Sequence, residues 1–476
     1  MSKPLSADVR AALKHPVVDA DGHWLEPMPI FLDFLRDEGG PHALDTYRRD
    51  KEQADLWYGL TASERATKRV RRGAWWVEPA DTLDRATALL PKLFYDRLDE
   101  LGIDFSIVYP SSGLGYFEHP DVDYRRAAMR AANKMTAELF SPYNDRLAAV
   151  GGIPMVDPQE AIDELEFCVL TLGIKVVMAP GHVNRQTADG RMYVDSVALD
   201  SRHNYDPFFS RCVELGVAVT DHSTSLGWPE RQSTTNYVSN HIGHFAASQH
   251  FNCRGIFLGG VVHRFPSLKF AFLEGGVGWG CNLLFDLIGH WEKRHRDALL
   301  TNLAPTNVDG ALLANLFAQH GPAKYAARFD QIFEHLSTFA PYGSVDELTE
   351  REGEVVDDFA ATGIHSRDDL RAAFTKNFYF GCEADDPMTA VAFDARLDAP
   401  LKPIFSSDVG HFDVPVMNEV VAEAFELVET GLLTEAQFER FVFGNVVELH
   451  AGMNPRFFDG TVVEDALANV GDSRGA

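Results

Sequence analysis

Eight short apolar runs, several of them rich in valine and isoleucine, alternate along this chain with longer segments of helical pattern. Short buried runs of this kind are typical of the strands of a parallel sheet. Eight alternations of strand and helix favour a closed (β/α)8 TIM barrel over an open sheet, so we predict an α/β fold of this type. The predicted strands are His15–Asp21, Asp104–Pro110, Leu147–Pro154, Ile174–Ala179, Val217–His222, Lys269–Glu274, Asn377–Glu383 and Pro403–Asp408.

Two stretches of the chain are longer than the connections of such a barrel require. Residues 39–82, with several tryptophans, follow the first predicted strand, and residues 301–369 follow the sixth. Because each stretch comes after the C-terminal end of a strand, we expect both to fold over the mouth of the barrel as a lid or a dimerisation element. We therefore predict one barrel domain over residues 1–476 with two insertions, and a homodimer as the assembly.

The charge of the chain limits its partners. The 70 aspartates and glutamates outnumber the 43 lysines and arginines, and the formal net charge is −27. A surface this acidic repels phosphate backbones and anionic headgroups, so nucleic acid and membrane surfaces are poor partners. We expect a small-molecule substrate instead. An anionic substrate is not excluded, because a bound metal ion would set the local field in a pocket.

The five cysteines are odd in number and widely spaced, and no C-x-x-C motif is present. A thiolate zinc site and a disulfide framework are therefore both disfavoured. The start of the chain has no apolar core of signal-peptide length, and no apolar run is long enough to span a bilayer. We expect reduced, mostly buried thiols in a soluble, cytoplasmic protein.

The C-terminal ends of the predicted strands carry many metal-type ligands. In (β/α)8 barrels the catalytic groups come from the C-terminal ends of different strands. Carboxylates or imidazoles close five of the eight strands here, which is more than chance placement would produce. They are Asp21 and His23 after strand one, Asp221 and His222 after strand five, Glu274 after strand six, Glu383 after strand seven, and Asp408 with His411 after strand eight.

Asp21 and His23 form an Asp-x-His pair. Residues two apart on a strand point to the same face, so both side chains should project into the barrel mouth. Borderline divalent metals accept a mixture of imidazole and carboxylate ligands. His222 and Asp408 would supply the remaining ligands around the ion. The sequence therefore predicts a metal site made by these four residues. A lone residue such as Asp221 is more often a cap or a satisfied hydrogen-bonding group.

Several longer runs have the character of family motifs. They are 18–27 (VDADGHWLEP), 146–154 followed by Asp157-Pro158, 264–269 (RFPSLK), 273–279 (LEGGVGW), 407–413 (SDVGHFD) and 444–449 (GNVVEL). In these runs the chain resembles, nearly from end to end and in the same order, the second amidohydrolase family of the amidohydrolase superfamily. That family includes metal-dependent decarboxylases of aminocarboxymuconate-semialdehyde and resorcylate type. The resemblance implies a metal-dependent TIM-barrel enzyme.

The resemblance also implies roles for residues in these positions. Asp21 and His23 stand where the family carries a metal-binding H-x-H or E-x-H pair. His222 stands at the metal histidine of strand five. Asp408 stands at the aspartate of strand eight, which is a metal ligand that can also move protons.

Two positions depart from the family pattern. Glu274 replaces the histidine that many members carry in an H-G-G run, and this change turns a neutral, proton-shuttling position into an anionic one. No lysine ends strand four, where related hydrolases carry a carboxylated bridging lysine, and Lys175 lies near the start of that strand. A carbamate-bridged metal pair is therefore not indicated.

Substrate-binding residues are suggested by their positions. His182 and Arg185 follow strand four, where they would clamp a substrate carboxylate. His241 and His244, at i and i+3 on a predicted helix after strand five, share a face and would line the pocket. Trp24, together with the tryptophans of the first insertion, favours a large apolar or aromatic compound.

These residues predict a metal-dependent hydrolase or non-oxidative decarboxylase that acts on a carboxylated small molecule. One divalent ion (zinc, manganese or iron) would activate water for attack, or would hold a carboxylated ring while a carbon is protonated. Asp408 would be the general acid or base, with His411 or His182 assisting and Glu274 beside the metal.

The oxygen-rich ligand set leaves a second function open. Two histidines with the carboxylates of Asp21, Glu274, Asp408 and, as a further candidate, Glu26 resemble diiron oxygenase sites more than zinc hydrolase sites. A diiron monooxygenase branch exists on the same barrel in natural-product biosynthesis. The alternative prediction is therefore an O2-dependent hydroxylase with two iron ions. The number of metal ions per chain distinguishes the two functions.

Overall fold

The chain forms two compact units in a computed structural model. One unit consists of residues 1–283 and 373–476, and the other of residues 284–372. All the strands within the described residues belong to the first unit. The residues that the structure describes are 5–75, 78–302, 307–338, 357–397 and 400–467.

Eight parallel strands form the barrel, and two further strands form an antiparallel hairpin. The strands are β1 (Val18–Trp24), β2 (Phe105–Pro110), β3 (Leu147–Gly152), β4 (Val176–Met178), β5 (His182–Gln186), β6 (Met192–Ser196), β7 (Val219–Asp221), β8 (Phe270–Phe272), β9 (Phe378–Cys382) and β10 (Pro403–Phe405). Neighbours in the barrel follow the order β1-β2-β3-β4-β7-β8-β9-β10. Two backbone hydrogen bonds join its ends. Asp408 N–H donates to the carbonyl of Asp21 (3.0 Å), and His23 N–H donates to the carbonyl of Val409 (2.7 Å).

Helices lie between the strands and continue through the second unit. Within the described residues they are α1 (Ser6–Ala12), α2 (Met28–Tyr58), α3 (Ala62–Lys68), α4 (Thr82–Leu89), α5 (Pro91–Leu101), α6 (Val122–Phe140), α7 (Pro158–Glu166), α8 (Asp206–Leu215), α9 (Tyr237–His241), α10 (His244–Leu258), α11 (Val261–Arg264), α12 (Gly278–Arg294), α13 (Arg296–Asn302), α14 (Gly310–His320), α15 (Ala323–Ala326), α16 (Phe329–Thr338), α17 (Arg367–Asn377), α18 (Val420–Glu429), α19 (Glu435–Glu439) and α20 (Asn445–Ala451). The predicted (β/α)8 barrel is confirmed, and each predicted strand overlaps one barrel strand. The β5–β6 hairpin was not predicted.

The first strand differs most from its prediction, because it begins and ends three residues later. Its pairing with β2 shifts register between Asp19 and Gly22, and a bulge of this kind redirects the side chains that follow. The Asp19 carboxylate holds the region together by accepting hydrogen bonds from Ser106 Oγ (2.6 Å), Asp21 N–H (3.1 Å) and Ser407 N–H (3.0 Å). A Cβ at Gly22 would lie 2.6 Å from Ser106 Oγ and 2.7 Å from Asp19 Oδ2, so a larger residue there would disturb the hydrogen bond between these two side chains.

Apolar side chains fill the barrel core. Close packing of this kind holds the strands rigidly, so that residues at the strand ends keep fixed positions. All five cysteines are buried and unpaired, as predicted. The core residues, each at most 2% exposed, include Val18, Ala20, Ile107, Tyr109, Val150, Val176, Met178, Ala271, Tyr379 and Ile404.

The first predicted insertion, residues 39–82, is largely helical. Its first part continues α2, which bends at Gly40 (φ +59°) just before Pro41. Leu35 and Ala43 on this helix are buried, and α2 packs along α6 in the outer layer of the barrel. This part of the insertion therefore contributes to the packing of the barrel itself.

The second unit contains α13 to α16, and the rings of Phe317 and Phe329 pack 5.2 Å apart within it. The second predicted insertion, residues 301–369, falls in this unit, and its segments 303–306 and 339–356 lie outside the described residues. Its place over the barrel mouth, the single-domain organisation and the homodimer stay predictions. None of the helices in the described ranges is long and apolar enough to cross a membrane. The cytoplasmic location likewise stays a prediction.

Candidate metal centre

A buried cluster of three carboxylates and two imidazoles lies at the C-terminal ends of the barrel strands. His23 Nε2 lies 3.3 Å from Asp21 Oδ1 and 3.4 Å from Asp408 Oδ1. The Nε2 atoms of His23 and His222 lie 3.3 Å apart. His222 Nε2 lies 3.2 Å from Glu274 Oε2 and 3.6 Å from Asp21 Oδ2. The structure thus brings together the five residues that the sequence predicts as metal ligands, and none of them is more than 8% exposed.

Four different strands deliver these side chains. Asp21 and His23 lie two apart on β1, as the Asp-x-His spacing predicts. His222 directly follows β7, Glu274 follows β8 and Asp408 follows β10. Glu274 and Asp408 both have positive φ, 54° and 53°, a conformation that costs a non-glycine residue about 1–2 kcal/mol. Strain of this kind persists where the surrounding structure holds a side chain in a functional direction.

The cluster sets three carboxyl groups against two imidazoles, so with all of its groups ionised it would carry net negative charge. Burial opposes protonation of His222, but the carboxylates of Asp21 and Glu274 outweigh burial and raise the pKa of His222 to about 9. Burial raises the pKa of Glu274 to about 7, and burial together with Glu274 and Asp413 raises the pKa of Asp408 well above its usual value. In the described part of the chain, the ion pairs of the three carboxylates are with histidines alone. A divalent cation would offset this negative charge.

The donor atoms also have the spacing of a metal site. Ligands about 2.1 Å from one ion at tetrahedral angles lie about 3.4 Å apart, and the donor pairs in direct contact in the cluster lie 3.2 to 3.6 Å apart. Asp21 Oδ1 and Glu274 Oε2 are buried without a hydrogen-bond partner among the described residues. The residues present therefore fit a divalent ion. Two overlapping groups have donor atoms within 4.8 Å of one another, namely Asp21, His23, His222 and Glu274, and His23, Glu274, Asp408 and His411.

His411 connects Asp408 to the loop after β2. Its Nδ1 lies 2.6 Å from Asp408 Oδ1, and its Nε2 lies 2.8 Å from Ser111 Oγ. The Ser111 hydroxyl donates to the carbonyl of Trp24 (2.9 Å), so it accepts the Nε2–H of His411. One proton therefore lies between His411 Nδ1 and Asp408 Oδ1. The His411 ring also stacks on His23 with centroids 3.9 Å apart.

Glu26 holds the same loop in place. Its carboxylate accepts hydrogen bonds from the backbone N–H groups of Ser111 (3.1 Å), Ser112 (2.8 Å) and Gly113 (2.7 Å). The hypothesis that Glu26 is a further metal ligand is corrected by this geometry, because its oxygens are used to fix the loop. Glu26 instead positions Ser111, and through it His411.

Two predicted substrate-binding residues are not brought to the cluster. Trp24 is buried and packs edge-on against Phe140 of α6 at 5.2 Å, because the residue after His23 on β1 points away from the barrel interior. Arg185 lies on the β5–β6 hairpin, where it pairs with Asp195 at 2.5 Å and donates to the Tyr205 hydroxyl (3.1 Å). These contacts occupy its guanidinium. The prediction that Arg185 would bind a substrate carboxylate is therefore corrected.

A cavity of about 220 Å³ opens beside His222. Leu114, Phe117 and Met178 supply apolar walls, and His182 is one of its polar residues, as predicted. A mostly apolar cavity with a few placed polar groups is the usual form of a small-molecule site. A larger groove of about 590 Å³ lies between α2, α6 and α7, away from the metal-type cluster.

His241 and His244 lie near the cluster beneath Trp75. His241 ends α9 and His244 begins α10, with Gly243 in the left-handed region between them (φ +67°), so they do not share one helix as predicted. Their rings nevertheless lie 4.9 Å apart. Trp75 stacks on His241 at 5.7 Å and meets His411 edge-on at 5.2 Å. The chain turn at Gly243, rather than helical spacing, brings the two histidines together.

The segment that carries Trp75 is tied to the loop after β7. Arg72 N–H donates to the carbonyl of Ser233 (2.8 Å), and Asn240 Nδ2 donates to the carbonyl of Arg72 (3.1 Å). This part of the first predicted insertion thus lies beside residues of the candidate site. Its function as a lid stays a prediction, and Trp76 lies outside the described residues.

The barrel and its cluster of carboxylates and imidazoles are typical of metal-dependent (β/α)8 barrel enzymes. A family model described as amidohydrolase matches residues 19–300. The chain therefore belongs to the second amidohydrolase family of the amidohydrolase superfamily. It is 28% identical over 144 residues to the 2-amino-3-carboxymuconate-6-semialdehyde decarboxylase of Dictyostelium discoideum. That alignment covers 30% of this chain and only 36% of the relative.

Solved structures of low sequence identity share the fold. The 2,6-dihydroxybenzoate decarboxylase from Rhizobium has a TM-score of 0.50 at 16% identity, over 92% of this chain and 98% of that one. A dihydroxybenzoic acid decarboxylase from Polaromonas, with bound manganese and the inhibitor 2-nitroresorcinol, has a TM-score of 0.51 at 17% identity, over 92% and 97%. An amidohydrolase from Mycobacterium avium subsp. paratuberculosis has a TM-score of 0.52 at 16% identity, over 92% and 100%. At these identities the likeness shows the fold alone.

Sequence reasoning missed the residues that hold the ligands in place. Ser111 directly follows β2, so the test of strand ends would have found it had hydroxyls been included. Asp19 stands inside the run that carries Asp21 and His23, but no spacing marks it as their support. The contact of Trp75 with the site joins residues distant in the sequence, and no local pattern indicates it.

Proposed function

We propose that this protein is a metal-dependent, non-oxidative decarboxylase of a small aromatic or otherwise apolar carboxylate. The observation that carries the proposal is the buried donor cluster at the barrel mouth, with a mostly apolar cavity beside His222. The name of the Dictyostelium relative supports decarboxylation, and membership of the amidohydrolase family supports metal dependence.

Asp21, His23, His222 and Asp408 would hold the divalent ion, and Glu274 would add a further carboxylate. When bound, the ion supplies Lewis-acid polarisation of a substrate oxygen. A carboxylate-rich donor set suits manganese, so manganese is the first metal to test. Leu114, Phe117 and Met178 would contact the apolar body of the substrate and keep water from its ring.

Decarboxylation requires a proton at the carbon that loses its carboxylate. The carbon–carbon bond to the carboxylate breaks, CO2 leaves, and the bond's electron pair takes the proton. The hydrogen bond between Asp408 and His411 holds one proton beside the cluster. Ser111 keeps His411 from turning, because its hydroxyl occupies the Nε2 side of the ring. We propose that Asp408 delivers this proton and that His411 orients Asp408.

Hydrolysis and oxygenation are the competing functions. Strand β4 ends at Met178, and Lys175 donates to the carbonyl of Phe457 (2.7 Å), so no lysine stands where a bridging carbamate would form. None of the relatives reported above is an oxygenase. Two overlapping donor groups share His23 and Glu274, however, so the metal count remains a useful test of the dinuclear alternative.

Reaction of the manganese-loaded protein with carboxyl-labelled hydroxybenzoates in D2O tests the proposal. We expect labelled CO2, a product with deuterium at the vacated carbon, and no O2 consumption. Protein stripped of metal by a chelator should be inactive and should recover when manganese is restored. Incorporation of oxygen from 18O2 would instead establish the monooxygenase. Cleavage of an amide or ester without CO2 would establish a hydrolase.

Trp75 provides a further test through substrate affinity. Its ring meets His411 edge-on and stacks on His241 at the mouth of the site. Replacement of Trp75 by alanine should raise KM about 3- to 10-fold, as expected for loss of aromatic contacts, and should leave the metal content unchanged. Trp57, which is 48% exposed on α2, is the matched control, and Trp57→Ala should leave KM unchanged. An unaltered KM in Trp75→Ala would exclude contact with substrate.

A further inference from the structure

One edge of the His182 ring is held by a buried hydrogen-bonded array. His182 Nδ1–H donates to Asn252 Oδ1 (3.0 Å), and Asn252 Nδ2 donates to Asp221 Oδ2 (2.6 Å). The other oxygen of Asp221 accepts the backbone N–H of Ser223 (2.8 Å). His182, Asn252 and Asp221 are each at most 3% exposed. In this array Nδ1 is the donor, so a neutral His182 ring carries its lone pair at Nε2.

Close packing keeps the ring in this orientation. A Cβ at Gly181 would lie 2.5 Å from both Cβ and Cγ of Asn252, so the approach of Asn252 requires glycine at that position. The rings of Trp228 and Phe251 lie edge-on to His182 at 5.4 and 6.1 Å. His182 lines the cavity beside His222, and its fixed orientation leaves Nε2 as the hydrogen-bonding atom that no described residue uses.

The same cavity has neither lysine nor arginine among its lining residues, and the guanidinium of the nearby Arg185 is paired with Asp195. Glu118 does line the cavity, and its carboxylate accepts hydrogen bonds from the backbone N–H (3.0 Å) and Nδ2 (2.8 Å) of Asn184. A second anionic group on the substrate would therefore meet the Glu118 carboxylate and no lysine or arginine.

We propose that His182 determines substrate specificity by accepting, at Nε2, a hydrogen bond from a neutral hydroxyl on the part of the substrate away from the reacting carboxylate. The pocket consequently selects against substrates with a second anionic group. This inference rests on the proposed function, because it takes the reacting carboxylate to lie at the metal centre. It also changes the sequence-based role of His182 from a carboxylate clamp to a hydrogen-bond acceptor.

Calorimetric titration of the manganese-loaded protein with six substituted benzoates tests this proposal. The probes carry a hydroxyl, a methoxyl or a second carboxylate at ring position 3 or 4. In the parent, the better hydroxyl probe should bind about 3- to 10-fold more tightly than its methoxyl match, the range of one hydrogen bond. It should also bind about 10-fold or more tightly than the dicarboxylate, which has no lysine or arginine to pair with and meets the Glu118 carboxylate. His182→Phe, which keeps a ring and removes Nε2, should make hydroxyl and methoxyl affinities equal.

Two further variants separate positioning from general damage. Asn252→Leu releases the ring, so the preference for hydroxyl over methoxyl should fall in it as well. His450 is a buried histidine of α20 stacked on Phe457 at 4.6 Å, and His450→Phe should keep the parent's selectivity. Manganese content and the unfolding temperature of each variant confirm that the site and the fold are intact.

Three results would overturn the inference. They are a dicarboxylate that binds the parent most tightly, unchanged selectivity in both His182→Phe and Asn252→Leu, and the absence of binding by all six probes at millimolar concentration. The proposed function is judged separately by CO2 release. Release of CO2 without hydroxyl selectivity would retain the function and refute this inference. Selectivity without CO2 release would refute the function and retain His182 as a recognition residue.

Discussion

Replacement of His23 or His222 by alanine should remove the bound metal and lower turnover by about 1,000-fold or more, since the Lewis-acid contribution of an ion is worth several kcal/mol. The two Nε2 atoms face each other at 3.3 Å in the centre of the cluster. Either substitution leaves three carboxylates with one imidazole, and the donor set is then incomplete. The fold should survive, because the apolar barrel core does not depend on either imidazole.

The measurement is metal per chain by mass spectrometry, with circular dichroism and thermal unfolding on the same samples. His263 is the matched control, because it is an exposed histidine on α11, which precedes β8 and so lies toward the opposite end of that strand. His263→Ala should keep both metal and activity. Full metal occupancy in His23→Ala or His222→Ala would remove that histidine from the metal centre.

Glu274→Gln should lower the rate about 10- to 100-fold, the usual cost of disturbing a group that orients a metal ligand, and should leave one metal ion per chain. The Glu274 carboxylate lies 3.2 Å from His222 Nε2, the nitrogen that would face the ion, so in a one-metal site it would orient a water or a substrate oxygen beside the metal. In a dinuclear oxygenase the same carboxylate would bind an iron directly. Its substitution would then empty one of two metal positions and abolish oxygen chemistry.

Comparison of metal stoichiometry in the parent and in Glu274→Gln decides between these functions. A value near one in both proteins would refute the diiron alternative, whereas a fall from two to one would refute the one-metal decarboxylase. Glu383 follows the neighbouring strand β9 and has no place in either donor group among the described residues. Glu383→Gln is therefore the matched control, and it should leave the stoichiometry unchanged.

The ends of the barrel strands show why much of the site was predictable. Asp21 and His23 share a face because side chains alternate on a strand, and this rule holds whatever the rest of the chain does. His222, Glu274 and Asp408 follow strands that the apolar runs already identify. Parallel strands in a closed barrel bring their C-terminal ends to one mouth, so the convergence of these residues follows from the fold class.

The errors arise where a side chain has two possible partners. Arg185 follows a strand, as a carboxylate clamp would, but the unforeseen β5–β6 hairpin supplies Asp195 as its partner. From the sequence, Glu26 was a candidate metal ligand. The loop after β2 instead supplies three backbone N–H groups for its carboxylate. Trp24 points outward, onto Phe140. For Glu26 and Trp24 a contact between segments distant in the sequence decides the outcome, and for Arg185 a hairpin that the sequence did not predict decides it.

The sequence by itself determined the barrel, the amidohydrolase resemblance and the five residues of the donor cluster, because periodicity and strand-end position depend on short stretches of chain. Only the tertiary structure decided which groups orient that cluster and which face the cavity. The pairing of His411 with Ser111, and that of His182 with Asn252, each join different elements of the barrel. A hydrogen bond requires two atoms to lie about 3 Å apart, and no local pattern predicts that distance between segments so far apart in the chain.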